Sequence, residues 1–231
     1  MTILSEVLSK VKTLIEYARC GMGLFQMFLR DATKPGFLYF PQKFDIMNFK
    51  TAGMVTLKGN IYIGSIKGRV TDFYAFGATN YCEGMTNLGE IVLPECARFY
   101  APYGFKNCAK LHTVKLPAVS ELTSVATFDS CTALKHLEVG RLQEMNNQFL
   151  LRCSNLEEFI PAQGTNCNLF LQYSKELTQD CLHTIIDNFA DRTGQTASTL
   201  HIYDVCAQRI SDEYKQKAAD KNINILEVKS R

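Results

Sequence analysis

One short phrase recurs through the middle of the chain and restricts what the chain can fold into. Its copies are 85–94 (MTNLGEIVLP), 108–117 (CAKLHTVKLP), 131–140 (CTALKHLEVG) and 153–162 (CSNLEEFIPA). The first residues of successive copies lie 23, 23 and 22 positions apart. A fixed period in this range predicts a solenoid, in which each turn of chain stacks on the turn before it.

The first three copies carry the apolar spacing L-x-x-L-x-L, which is the core of the leucine-rich repeat pattern. The fourth copy departs from it, because Pro161 takes the final apolar position. In the second copy the spacing is occupied by Leu111, Val114 and Leu116. This alternation predicts a short strand whose apolar side chains point inward and stack on their equivalents one turn away. One turn cannot bury its own apolar face, so neighbouring turns are required. A large residue before each later anchor is predicted to fill the other side of the coil: Phe105, Phe128 and Leu150.

The cysteines follow the same period. The chain has nine of them, an odd number, and no C-x-x-C motif. Cys108, Cys131 and Cys153 occupy one position in successive copies. We therefore predict a ladder of small, buried, reduced thiols, with disulfides and metal ligation as the less favoured alternatives.

The regions that flank the repeats differ from them in kind. Segment 1–36 is predicted to be a helical attachment or oligomerisation segment, because residues 2–19 form an amphipathic pattern. This helix could dock on its own domain, or it could associate with itself or with a partner. Its apolar seam has the alternating spacing of a coiled coil and consists of Leu4, Leu8, Val11, Ile15 and Ala18.

Residues 37–84 read as a β-rich N-terminal cap or as degenerate repeats, residues 85–176 as the regular repeats, and residues 177–231 as a C-terminal cap. The predicted fold class is therefore α+β: a leucine-rich-repeat solenoid with short stacked strands, an N-terminal helix and an α/β C-terminal cap. Glycines separate the strands predicted before the repeats, which are 37–40, 54–57, 61–63 and 66–73. In the C-terminal cap we expect a helix from the N-cap Thr178 to Gly194, a strand at 200–203, a helix from Ser211 to Lys221 and a strand at 224–228.

Two stretches resemble a known family. The phrase F-x-x-C-x-x-L-x-x-V-x-L-P at 105–117 resembles the BspA-like leucine-rich repeats, and 177–202 resembles the cap that ends many such proteins. The resemblance covers about 75–231, with Met85 in place of the expected cysteine. It implies a role in adhesion or protein binding, and many of these proteins occur in phages and prophages of gut bacteria.

The resemblance and the start of the chain together suggest a location. Lys10, Lys12 and Glu16 interrupt the apolar residues near the N-terminus, so we do not expect a signal peptide. We therefore expect a phage virion component, such as a fibre or a head or tail decoration. The alternative is a bacterial adhesion module in the cytoplasm, or at the cell surface by a route without a signal peptide.

Composition and motifs exclude several function classes. The net charge is +2 without a basic block, so we expect no nucleic-acid partner. The longest strongly apolar run, 21–29, is too short for membrane insertion. No nucleophile, metalloprotease or nucleotide-binding motif occurs, so we predict no enzyme, no cofactor and no metal site. Cys181 and His183 lie two apart on a predicted helix and do not face each other.

The remaining candidate is a surface. Outward positions of the predicted strands form two columns across four turns, and stacked repeats use such faces for extended contacts. The alternative is a merely solvated sheet face. The expected partners are a host surface protein or glycan on this face, and other virion proteins or a second copy through the N-terminal segment. The candidate binding residues are Glu90, Val92, Thr113, Lys115, His136, Glu138, Glu158 and Ile160.

Overall fold

The computed structural model describes residues 36–40, 63–68, 72–74 and 82–229. Within them the chain is a mixed α/β protein with parallel sheets and few helices. None of the described helices combines the length and the apolar character that a bilayer crossing requires. The predicted strand at 54–57 and the predicted N-terminal helix, with Leu4, Leu8, Val11, Ile15 and Ala18, lie outside the described residues.

A six-stranded parallel sheet runs through the repeats. Its strands pair in the order β1-β2-β4-β6-β8-β10, so each strand lies beside the strand of the next turn. The two strands that precede the regular repeats, β1 and β2, belong to the same sheet. The strands are β1 (Gly36–Phe40), β2 (Ile63–Gly68), β4 (Glu90–Val92), β6 (Thr113–Leu116), β8 (His136–Val139) and β10 (Glu158–Ile160).

The predicted alternation of side chains is confirmed in these strands. In β6, Val114 and Leu116 are fully buried, whereas Thr113 and Lys115 are partly exposed. Equivalent residues of neighbouring turns pair directly, so the apolar positions stack in register. The buried row of the central position consists of Ile66, Ile91, Val114, Leu137 and Phe159.

The sequence predicted one strand at 66–73, and this prediction is wrong. The chain instead forms β2 and then a separate strand, β3 (Asp72–Tyr74), which pairs in parallel with β5 (Arg98–Tyr100) in a two-stranded sheet. Gly68 ends β2 with a φ of 155°, which a side chain would disfavour. A second two-stranded sheet pairs β7 (Glu121–Leu122) with β9 (Glu144–Met145).

Aromatic rings fill the side of the core opposite the strands. Phe105 and Phe128 are fully buried, as predicted, with ring centroids 5.7 Å apart. In the fourth turn the ring is Phe149, which packs edge-on against Phe128 at 5.3 Å. The predicted Leu150 is also buried, and the adjacent Phe149 supplies the ring. Phe73 and Phe99 continue the stack toward the N-terminus.

The cysteine ladder is confirmed for the described cysteines, which are free. Each repeat thiol donates to a backbone carbonyl of the preceding turn: Cys108 Sγ to Cys82 at 3.2 Å, Cys131 Sγ to Phe105 at 3.1 Å and Cys153 Sγ to Phe128 at 3.1 Å. The thiol thus fills a small buried space and also satisfies a carbonyl that water cannot reach.

The residue before each anchor has a left-handed backbone. Gly84, Asn107, Ser130 and Arg152 have φ values of 66°, 61°, 61° and 58°. Three of these residues donate their amide to a carbonyl of the next turn; Asn107 donates to Asp129 at 2.8 Å. These left-handed residues therefore lie where the backbone of one repeat bonds to that of the next.

The first helix of the C-terminal region, α1 (Gln179–Asn188), begins as predicted. The side chain of Thr178 accepts a hydrogen bond from the Cys181 amide and caps the helix. The predicted end at Gly194 is wrong, because the chain leaves the helix at Phe189 with an extended ψ of 140°. The Asn188 carbonyl there accepts from the amides of Gly164 and Thr165, so tertiary contacts end the helix before the glycine.

The rest of the C-terminal region forms a three-stranded parallel sheet with two further helices. The sheet has the order β11-β12-β13. The predicted helix at 211–221 is confirmed as α3 (Asp212–Asp220) with Ser211 as its N-cap, and the short helix α2 (Asp204–Ala207) was not predicted. The strands are β11 (Leu169–Phe170), β12 (Ser198–Tyr203) and β13 (Ile223–Val228).

Candidate binding face and adjoining groove

The eight predicted face residues lie on the outer side of β4, β6, β8 and β10. The strand register aligns them in two columns, one position per turn. All are partly or fully exposed. We call this surface the strand face; its first column is Glu90, Thr113, His136 and Glu158, and its second is Val92, Lys115, Glu138 and Ile160.

The register of the columns continues into β2 beyond the predicted residues, where Lys67 is partly exposed but Ser65 is buried. Ser65 of β2 pairs with Glu90, and Lys67 pairs with Val92. Residues 63–68 carry no copy of the repeated phrase, which is why the pattern did not reveal them. The available signal was the spacing of 25 residues between Ile66 and its register partner Ile91, which is close to the repeat period.

Opposite charges on the strand face pair between neighbouring turns. Lys67 Nζ lies 2.7 Å from a Glu90 oxygen, and Lys115 Nζ lies 3.7 Å from a Glu138 oxygen. These side chains are between one third and one half exposed, so each pair contributes little to stability. The pairing does, however, cancel most of the charge that a ligand on this face would meet.

His136 has the most constrained side chain on the strand face. Its Nδ1 lies 2.7 Å from Glu158 Oε2, and the side chain is 21% exposed. Its Nε2 is buried and has no hydrogen-bond partner among the described residues. An unsatisfied buried polar atom is costly, and because Nδ1 is engaged and Nε2 is buried, neither ring nitrogen is open to a ligand.

A groove adjoins the strand face where the chain enters each strand. Its volume is about 610 Å³ and it crosses several turns. One wall follows a backbone ladder in which Lys135 donates to the His112 carbonyl and Glu157 donates to the Lys135 carbonyl, both at 3.0 Å. The lining residues are Ala109, Lys110, His112, Ala133, Lys135, Asn155, Glu157 and Glu176.

Four polar side chains of the groove have hydrogen-bond partners in the protein. Lys110 Nζ donates to Asn87 Oδ1 at 2.8 Å, and Lys135 Nζ donates to Glu157 Oε1 at 2.7 Å. The hydrogen bond and charge of Glu157 raise the pKa of Lys135. Asn155 is fixed through a bond to the Thr132 carbonyl. These four side chains therefore have partners within the protein.

A further ion pair lies next to the left-handed turns. Arg152 makes two bonds to Asp129, at 2.7 and 2.5 Å, and the Asp129 side chain is only 2% exposed. Sequence reasoning missed this pair because neither residue type recurs at its position in the other turns. The guanidinium of Arg152 neutralises the buried carboxylate of Asp129, so the role of this pair is structural.

The described residues contain no group of three or more histidine, cysteine, aspartate or glutamate side chains that could hold a metal ion. Burial raises the pKa of Cys131, and it raises that of Cys181 to about 11, so these cysteines stay thiols and are poor nucleophiles. Cys181 contacts the backbone of Phe159, whereas His183 stacks on Tyr214 with centroids 3.7 Å apart. The two side chains therefore have separate partners, as predicted.

Comparison of the chain with protein-family models, curated proteins and solved structures finds no match. The resemblance to BspA-like repeats therefore stays a prediction. Its basis is the phrase at 105–117 and the C-terminal stretch at 177–202.

Proposed function

We propose that the chain is a non-enzymatic binding protein whose repeats form a leucine-rich-repeat solenoid of the BspA-like kind. The observation that carries this proposal is the register of the strand face, in which outward residues of successive strands align in two columns. Such an arrangement presents an extended, rigid surface, which is how stacked repeats bind their partners.

The partner on the strand face is a protein or a glycan with little net charge. Pairs such as Lys67 with Glu90 and Lys115 with Glu138 already neutralise one another. A strongly charged ligand would have to break these pairs before it gained new ones. Shape and uncharged contacts therefore determine recognition more than charge does, and binding should depend only weakly on salt.

The test measures binding of the labelled full-length chain to a panel of immobilised bacterial surface glycans and to intact gut-bacterial cells. The double substitution Lys115→Ala with Glu138→Ala should weaken binding at least tenfold. A control double substitution at the start of the unrelated strand β9 and at the residue before it, Glu144→Ala with Gln143→Ala, should leave binding unchanged. Equal binding by both variants, or binding to neither probe, would overturn the proposal.

The family resemblance supports a place in a phage virion, with segment 1–36 attaching the chain to other virion proteins or to a second copy. Mass spectrometry of purified particles should then detect the chain, and a variant without residues 1–30 should fold but not be incorporated. Detection of the chain only in the host fraction would instead favour the bacterial adhesion module.

A further inference from the structure

We infer that the groove beside the strand face is a second binding site, and that it takes an extended peptide segment of another protein carrying an acidic and a basic residue about four positions apart. This site is separate from the strand face, and the inference does not depend on the function proposed for that face. Its basis is the order of charges along the groove.

The groove lies between two rows of side chains that the backbone ladder keeps in register. The first row occupies the second position after each anchor and includes Lys110, Ala133 and Asn155. The ladder continues beyond the fourth turn, because the Thr178 amide donates to the Glu157 carbonyl at 3.1 Å. Glu176 precedes Thr178 by two residues, as Asn155 precedes Glu157, and so ends the first row.

Charge changes sign along this direction. The end nearest the N-terminus presents Lys110 and His112, and the far end presents Glu176, with Asn155 between them. In the middle, Lys135 and Glu157 satisfy each other. Within the described part of the chain, Glu176 forms no ion pair, and the nearby Arg209 donates to the backbone carbonyls of Lys175 and Leu177.

Two small side chains line the groove, Ala109 beside Lys110 and Ala133 in the next repeat. Ala109 and Ala133 leave the depth that a longer side chain would fill. Lys110 bonds to Asn87 in the preceding repeat, so its side chain is drawn away from Ala133. An extended backbone can lie on such a surface while its side chains reach the charged ends.

The spacing of the charges sets the length of the ligand. Neighbouring strands of a sheet lie about 4.8 Å apart, so three steps from the turn of Lys110 to that of Glu176 cover about 14 Å. An extended chain rises about 3.3 Å per residue, and about four residues therefore span the distance. A peptide carboxylate would meet Lys110 and His112, and a lysine or arginine would meet Glu176.

The experiment selects a displayed library of random twelve-residue peptides on the full-length protein. Enriched peptides should share an acidic and a basic residue three to five positions apart. Ala133→Trp, which fills the groove, should weaken their binding at least tenfold. The strand-face double substitution Lys115→Ala with Glu138→Ala should leave it within twofold, which separates this site from the strand face.

A charge-reversed protein provides the second arm and changes only exposed residues. Lys110→Glu combined with Glu176→Lys should lose the selected peptides at least tenfold and regain binding when the two charged residues of the peptide are exchanged. The inference is overturned if no peptide is enriched, if enriched peptides lack the charge pair, or if Ala133→Trp binds them as well as the unmodified chain does.

Discussion

The repeats and the C-terminal region are held together by different sets of contacts. The repeats use one contact many times, such as the thiol-to-carbonyl bond of Cys108, Cys131 and Cys153. The C-terminal region continues this contact at longer distances, from Cys181 Sγ to the Phe159 carbonyl at 3.5 Å and from Cys206 Sγ to the Ser174 carbonyl at 3.6 Å. It also contains contacts that occur once. Lys221 donates to the carbonyls of Ile186, Asp187 and Phe189 at the end of α1, and no other described lysine makes such a set of contacts.

The comparison shows how repeated contacts and unique contacts contribute to stability. A repeated contact spreads its contribution over several turns, so each turn depends on its neighbours. A unique contact fixes one junction, and its loss has no equivalent nearby. The two regions nevertheless share one continuous hydrophobic core, so damage in either should be detectable in the stability of the whole.

The largest expected effect comes from the aromatic stack of the repeats. Phe128 is fully buried and touches the rings of Phe99, Phe105 and Phe149. Phe128→Ala should lower the free energy of unfolding by about 3–5 kcal/mol, measured by urea denaturation. Phe170→Ala is the control, because this partly buried ring of the C-terminal sheet stacks mainly on His201. Equal losses in the two variants would contradict the comparison.

A smaller effect is expected at the unique junction of the C-terminal region. Lys221→Met removes three hydrogen bonds, of 3.1, 2.7 and 2.9 Å, from the carbonyls that end α1. Hydrogen bonds to a charged group support an estimate of about 2 kcal/mol. Hydrogen exchange should become faster at the amides of α1 before those of β6. Lys215→Met, on the exposed side of α3, is the control and should leave hydrogen exchange unchanged in α1 and in β6. Equal acceleration in α1 and β6 by Lys221→Met would show that the effect of this junction is not local.

Alkaline pH tests the buried thiols. Burial raises the pKa of Cys82, Cys131 and Cys153, so above about pH 9 the unfolded thiols ionise while the folded ones stay protonated. The contribution of each buried thiol to the free energy of unfolding is therefore fully present below this pH. Above it the contribution falls by about 1.4 kcal/mol per pH unit for each thiol.

The control for this prediction is Cys131→Ala, studied under reducing conditions. Its stability between pH 9 and pH 11 should fall less steeply than that of the unmodified chain, by the share of one thiol. Identical slopes would mean that the thiol of Cys131 ionises in the folded protein, and the ladder would then not be sealed from solvent.

The sequence predicted those features that recur and missed those that depend on one position. The strands, the thiol ladder and most of the aromatic stack were visible because residues such as Cys108 and Cys131 repeat in type and spacing. The left-handed turns were not, because Asn107, Ser130 and Arg152 share a backbone conformation but no side-chain chemistry.

The candidate sites divide in the same way. The columns of the strand face follow directly from the period. The groove does not, because it depends on where an alanine falls between Lys110 and Asn155 and on a turn shortened enough to place Glu176 in the same row. The end of α1 was missed for a related reason, since contacts to Gly164 and Thr165 override the local signal of Gly194.

The smallest effect is expected on the strand face, where the ion pairs serve to neutralise charge more than to stabilise the fold. Lys115→Ala breaks an exposed pair with a 3.7 Å separation from Glu138 and should change the free energy of unfolding by less than about 1 kcal/mol. The same substitution leaves Glu138 unpaired, so binding of a basic protein such as polylysine should increase at low salt and return to the original level at high salt. A large loss of stability would mean that these ion pairs stabilise the fold by holding neighbouring strands together. The role of the strand face would then be structural.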